Sequence, residues 1–191
     1  VLANANIDYA GSTSIDTGNS TLAAETLTAD ANAVQYLQKV TNSEQGYLYV
    51  DRSGQMRFEN RYGPLSAGSS VTFSDDGSDV PYQQIGRNLV SAELFNRLTA
   101  NRTGAATVTA NETDSQGSYG IRLLPLGELL VLDDATVSNI LDFLMVQTAS
   151  IEVRINSLTA VLDTQASGTQ NTIAQLELAD AVTVEFTPPG V

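Results

Sequence analysis

The stretch 44-EQGYLYVDRSGQMRFENR-61 decides how the first half of the chain is read. Within it, 47-YLYV-50 sets Leu48 and Val50 on one face and Tyr47 and Tyr49 on the other. In 55-QMRFEN-60, Met56 and Phe58 alternate with Arg57 and Glu59. That is the period-2 pattern of two strands with one buried face. Ser53-Gly54 supplies the turn between them, Gly54 taking the positive φ that a Cβ disfavours. An acid beside a hydroxyl also invites a catalytic reading of Asp51 and Ser53, but their position makes them turn residues.

Upstream, Thr28 or Asp30 is placed to cap a helix that runs to about Ser43. Ala33, Val34, Leu37 and Val40 form its apolar face at helical spacing, and Gly46 is the expected stop. Residues 1–27 are rich in Ser, Thr, Ala, Asn and Gly and read as a linker. The chain begins with Val1 and shows no basic region followed by an apolar leader. The opening 1-VLANANIDYAGSTS-14 reads like the middle of a longer chain, so a fragment or a processed product is expected.

Downstream, 63-GPLSAGSS-70 reads as a loop, Val71 and Phe73 as a short strand, and 74-SDDGSDV-80 as a second loop closed by Pro81. From 89 to 102 the chain alternates, with Leu94, Asn96, Leu98 and Ala100 sharing one face. A hairpin across Thr103-Gly104-Ala105 pairs this strand with 106-ATVTANE-112, and 113-TDSQGSYG-120 follows as a loop. After the apolar segment 121–132, Asp133 or Asp134 caps a second helix to about Ala149. Its stripe is Val137, Ile140, Leu141, Leu144 and Met145. In 151-IEVRINSLTAVLD-163 the apolar phase flips at Asn156-Ser157, which predicts a bulge or a change of face. A loop is expected over 164–172. Leu176, Leu178, Val182, Val184 and Phe186 share a phase with Asp180. A lone carboxylate on a buried face is costly, so a tight turn at Ala179-Asp180 is expected instead. The order of elements gives an α+β fold, not a doubly wound α/β fold.

The chain has 191 residues, with 22 acidic against 9 basic side chains and a net charge of −13. Solubility is the simplest reading of that charge, and a surface of this sign repels nucleic acid and anionic lipid. There is no histidine and no cysteine, which removes Ser-His-Asp and Cys-His catalysis, disulfides and the usual zinc sites. No apolar run reaches the roughly 20 residues of a membrane-spanning helix; the longest, Ile121 to Leu132, is interrupted by Pro125 and Gly127.

Two motifs invite chemistry. Asp16-Thr17-Gly18 is the triplet of aspartic proteases, but that chemistry needs two such loops sharing a proton, and the segment before it is polar. Asp75, Asp76 and Asp79 share a Gly-containing loop that offers oxygen ligands for calcium, without the calcium-loop spacing. A solvated acidic turn reads better. No catalytic, cofactor-binding or metal-binding residue is assigned.

Taken together, the segments resemble the minor tail proteins of long-tailed phages infecting actinobacteria, which form the tail-tip or baseplate hub. SIDTG (14–18) is followed by a polar linker. Residues 30–61 resemble that family's helix, Glu-x-Gly and strand–turn–strand ending in Arg. Asn96 lies in ELFNRLTANR like the family's Asn-x-Val-x-Val strand, and 114-DSQGSYGIR-122 resembles its Ser-x-x-x-Tyr-Gly-x-Arg element. The end 176-LELADAVTVEFTPPG-190 resembles its closing hairpin, with Ala179 where the family has Gly.

The resemblance implies a structural virion protein located at the tail tip. Its fold would be β-rich, barrel-like hub modules with two main helices, and its assembly a homotrimeric ring. Residues 1–27 would lead in from a missing N-terminal domain. Residues 28–88 would be a helix plus β-hairpin module, and 89–191 a β-rich module with helix 134–149. The implied partners are further copies of the chain, the distal tail protein, the tape-measure protein and other tail-tip proteins. Genome DNA would pass transiently through the lumen, and no membrane insertion is expected. The competing reading is a carbohydrate- or receptor-binding module of a tail fibre or extracellular protein, which an exposed tyrosine cluster would favour.

Overall fold

Asn32, and not Thr28 or Asp30, starts the first helix. Its Oδ1 accepts hydrogen bonds from the N–H groups of Val34 at 2.9 Å and Gln35 at 3.2 Å, two donors that the first turn leaves unpaired. The computed structural model describes residues 15–66, 68–89, 93–163 and 165–187. The opening segment 1–14 and the terminal Pro188-Pro189-Gly190 lie outside them.

Helix α1 spans Ala33–Glu44. It stops one residue before the expected position, at Gln45, which adopts a left-handed conformation with φ 55°. Gly46 instead permits a close approach of two backbones, since a Cβ there would lie 2.5 Å from the carbonyl oxygen of Glu59. Strands β1 (Tyr47–Val50) and β2 (Met56–Glu59) form the expected antiparallel hairpin, with Leu48 opposite Phe58 and Tyr49 opposite Arg57. Gly54 takes a φ of 79° in the turn.

A one-turn helix α2, Gly63–Ser66, interrupts the expected loop. Strand β3 (Val71–Ser74) follows where the pattern places it, and then β4 (Val80–Leu89), which the sequence pattern does not show. Pro81 and Gly86 both signal a break in a strand. Yet β4 lies inside a four-stranded sheet of order β8-β4-β3-β9, where β8 is Val153–Ala160 and β9 is Val182–Val184. Gly86 pairs with Ser157 and Arg87 with Ile155, so Asn156 is the extra residue of a bulge. The phase flip in the sequence marks that residue. A Cβ on Gly86 would meet Asn156 Oδ1 and Ser157 Oγ, so glycine opposite the bulge leaves room for these two side chains.

The other sheet is β6-β5-β7. Strands β5 (Arg97–Arg102) and β6 (Val108–Asn111) form the expected hairpin around Gly104, and β7 (Leu123–Leu129) runs parallel to β5. Residues 113–120, expected as a loop, contain helix α3 (Thr113–Tyr119). The composition TDSQGSY has poor helix propensity, and tertiary bonds override it. Gln116 Nε2 donates to Asn96 O at 2.7 Å, and Ser115 N donates to the carboxylate of Glu112 at 2.6 Å. Helix α4 (Asp134–Thr148) is capped by Asp133, whose Oδ1 accepts Thr136 N at 2.7 Å. The N–H of Thr136, then its hydroxyl, holds the Asp133 carboxyl below its ordinary range. Helix α5 (Ser167–Ala174) lies where a loop was expected.

Two cores result. Leu98 and Ala100 of β5, Leu129 and Val131 after β7, and Val137, Ile140, Leu141 and Met145 of α4 form the larger one. Among the described residues, the hydrophobics buried by the four-stranded sheet are Val71, Phe73 and Val80, with Leu158, Ile173 and Leu176 partly covering them. The chain bends at Ala179-Asp180 as expected: Ala179 has φ 70°, and Asp180 Oδ2 accepts Glu177 N at 2.7 Å. The fold is α+β, with five helices and nine strands among the described residues. No helix among them is long and apolar enough to cross a membrane.

Candidate functional site

Glu44 ends α1 with only 2% of its surface exposed. A carboxylate buried to that extent requires partners. Its Oε1 accepts Asn19 N at 2.8 Å and its Oε2 accepts Ser20 N at 2.7 Å. Arg61, 4% exposed, brings its Nε to 3.5 Å from Oε1, and its Nη2 donates to the Ser20 hydroxyl. Beside them, buried Ser43 accepts Leu130 N at 2.7 Å and donates to Lys39 O at 2.8 Å. Residues 15–23 are therefore strapped across the molecule: Ile15 bridges to Phe58, and Leu22 to Val131. Glu44, Gly46 and Arg61, which carry the resemblance in 30–61, meet in this knot.

A second knot centres on Asn96, which is fully buried. Its Nδ2 donates to Gly120 O at 2.8 Å and Ser115 Oγ at 3.2 Å, and its Oδ1 accepts Arg122 N at 2.8 Å. These are the residues of the 114–122 element. Asn96 sits on the predicted buried face because its amide holds that element in place.

The residues that first drew a chemical reading lie in turns, in loops and on the strap. Asp51 Oδ1 accepts Ser53 N and Gln55 N, both at 2.9 Å, and Oδ2 accepts Arg57 Nε at 2.8 Å. The Arg57 guanidinium, followed by the N–H groups of Gln55 and Ser53, holds the Asp51 carboxyl below its ordinary range. Across the hairpin, Tyr49 donates to Glu59 Oε1 at 2.6 Å, and burial, then Glu59, pushes its phenol well above the usual value. Asp16-Thr17-Gly18 lies on the exposed strap, where Thr17 O accepts from Asn60 Nδ2 and Gly18 packs on Glu44. Asp75 accepts Thr187 N at 2.7 Å, and Asp76 accepts Ser78 N at 2.8 Å, which lowers its pKa together with the Ser78 hydroxyl. Asp79 N donates to Ser74 Oγ at 2.9 Å. No cluster of three or more acids among the described residues is placed to hold a metal.

A cleft of 1090 Å³ opens beside the first knot. One wall is the outward stripe of α4: Asn139, Asp142, Phe143, Val146 and Gln147. The facing wall is the foot of the hairpin, Tyr47 and Tyr62, with Pro64 and Leu65 of α2. Glu152, Arg154 and Arg61 also line it. Tyr62 meets Phe143 edge-on, with ring centroids 5.2 Å apart. The Arg61 guanidinium lies 5.9 Å from the Tyr62 ring and 5.8 Å from that of Phe143, within cation–π range. The spacing 139, 142, 143, 146, 147 is a helical face visible in the sequence. Its mixture of amide, acid and apolar residues conceals it from a search for apolar stripes. No protein-family model matches the chain, and no curated protein is significantly similar to it.

Proposed function

We propose that the chain is a structural component of a phage tail tip, part of a trimeric hub ring at the distal end of the tail tube. The observation that carries this is the imbalance of its apolar surface. Among the described residues, 18 large hydrophobics are exposed, four of them (Tyr47, Tyr62, Leu65 and Val146) in the cleft and the others outside it, while 13 hydrophobics are buried. Among the described residues, strand β8 is one edge of its sheet, with Val153 61% and Ile155 46% exposed, and β9 is the other, with Val182 44% exposed. Edges and apolar surface of this kind are normally covered by neighbouring chains. Strand β5, by contrast, is covered on both sides by β6 and β7.

The resemblance names the assembly. The Glu44–Arg61 and Asn96–Ser115–Gly120 contacts support it, because the residues that carry it fold together into framework. In this reading the barrel-like modules line a channel with helices outside. Further copies, the distal tail protein, the tape-measure protein and other tip proteins are the neighbours. Genome DNA crosses the lumen, where carboxylates let a polyanion pass without adhering.

Immunogold electron microscopy tests the reading. Antibody raised against the chain should label the distal tail tip of particles from the source. Label along fibres would favour a receptor-binding module, and unlabelled particles would remove the hub reading.

A further inference from the structure

We infer that the cleft between α4 and the hairpin foot binds a neutral oligosaccharide. Three features point to this chemistry. First, Tyr47 is 49% and Tyr62 45% exposed on the same wall, so aromatic surface is open to a ligand. A sugar ring presents C–H groups that pack on such surface. Second, the opposite wall offers hydrogen-bonding groups that the chain does not use. The side chains of Asn139 and Asp142 are exposed and have no hydrogen bond to any described residue. An amide and a carboxylate together supply donors and acceptors for adjacent hydroxyls. Third, the cations of the lining are already paired, Arg61 with Glu44 and Arg154 with Glu93, which leaves Asp142 and Glu152 on a chain of net charge −13. The long-range field repels an anionic ligand and is indifferent to a neutral one.

The framework suits recognition. Tyr62 is fixed against Phe143 and Arg61, and Arg61 is itself held by Glu44, so one aromatic platform is set before a ligand arrives. The 1090 Å³ volume lies just above the ~300–1,000 Å³ typical of ligand pockets and exceeds what one monosaccharide fills. A second copy of the chain is the rival occupant. The unpaired amide and acid of the α4 wall favour a hydroxyl-rich ligand over an apolar interface core.

The test uses the full chain and a panel of neutral hexasaccharides built from glucose, mannose, galactose or N-acetylglucosamine. Saturation-transfer NMR should detect binding of at least one. Tyr62→Ala and Asn139→Ala should each weaken that binding about tenfold. The Asn139 side chain is exposed and unbonded, so its substitution leaves folding intact and keeps the test decisive if Tyr62→Ala unfolds. Absence of binding by the whole panel, or binding that survives both substitutions, overturns the inference. So does dissociation of an oligomer on Asn139→Ala in sedimentation velocity, which would assign the cleft to a second copy.

Discussion

The two sheets of this protein are built on the same strand chemistry and end in different states. The β6-β5-β7 sheet is closed by α4, and eight buried hydrophobics fill the space between them. The β8-β4-β3-β9 sheet is packed by Ile173 of α5 and by Leu176 after it, and three hydrophobics are buried among the described residues. A helix stripe laid over a sheet removes both apolar faces from water. A sheet without such cover leaves one face and its edges to neighbours. The difference is that, among the described residues, one region buries eight hydrophobics and the other three; in the proposed assembly, neighbouring chains would cover the second. The Glu44–Arg61 knot is the joint between the strap, the hairpin and the closed region.

The largest effect should come from the joint. Glu44→Ala removes both acceptors of the strap and leaves Arg61 buried without its counter-charge. A loss of about 4 kcal/mol is expected in denaturant unfolding. An unfolding midpoint unchanged from wild type would show that the regions do not depend on the joint.

The comparison itself is tested by a matched pair. Leu141→Ala, in the closed core, should cost about 3 kcal/mol. Val153→Lys, on the exposed edge strand, should alter monomer stability by less than ~0.5 kcal/mol and weaken self-association in sedimentation experiments. Equal losses of stability for both would mean that the four-stranded sheet carries its own core after all.

A smaller effect, of opposite sign, is expected at Ala179. Its φ of 70° puts a Cβ in the left-handed region, so Ala179→Gly should stabilise the chain by roughly 0.5–1 kcal/mol in the same assay.

The smallest concerns the hairpin turn. Asp51 has a folded-state pKa below the ordinary value of about 3.9, so its contribution is fully present above that pH. It is lost as pH falls through the depressed folded value. Asp51→Asn should flatten this part of the acid limb of a stability–pH curve, and an unchanged limb would show that the Arg57 contact contributes nothing.

Much of this architecture is legible in the residues, for identifiable reasons. The hairpin 47–59, the alternation 94–100 and the α4 stripe are local patterns, and local geometry obeys them. The bulge at Asn156 and the turn at Ala179-Asp180 are legible as breaks in a pattern. Strand β4 is not: its register partner, Val153–Ala160, lies about seventy residues away, and Pro81 and Gly86 argue against a strand locally. Helices α3 and α5 escape a local reading because their sequences favour loops. Asn96 holds the first in place, and Gln170, donating to Leu162 O at 2.7 Å, helps hold the second.

By itself, the sequence determined the α+β class, the turn roles of Asp51 and Gly54, and the absence of histidine and cysteine chemistry. Spacing and composition are properties of the chain before it folds. Tertiary structure alone decided that Glu44 meets Arg61, that Asn96 binds the 114–122 element, and that Tyr47 and Tyr62 face an α4 wall of unused polar groups. Those contacts join residues far apart along the chain. Their formation depends on which faces must leave water, and only the packed chain settles that.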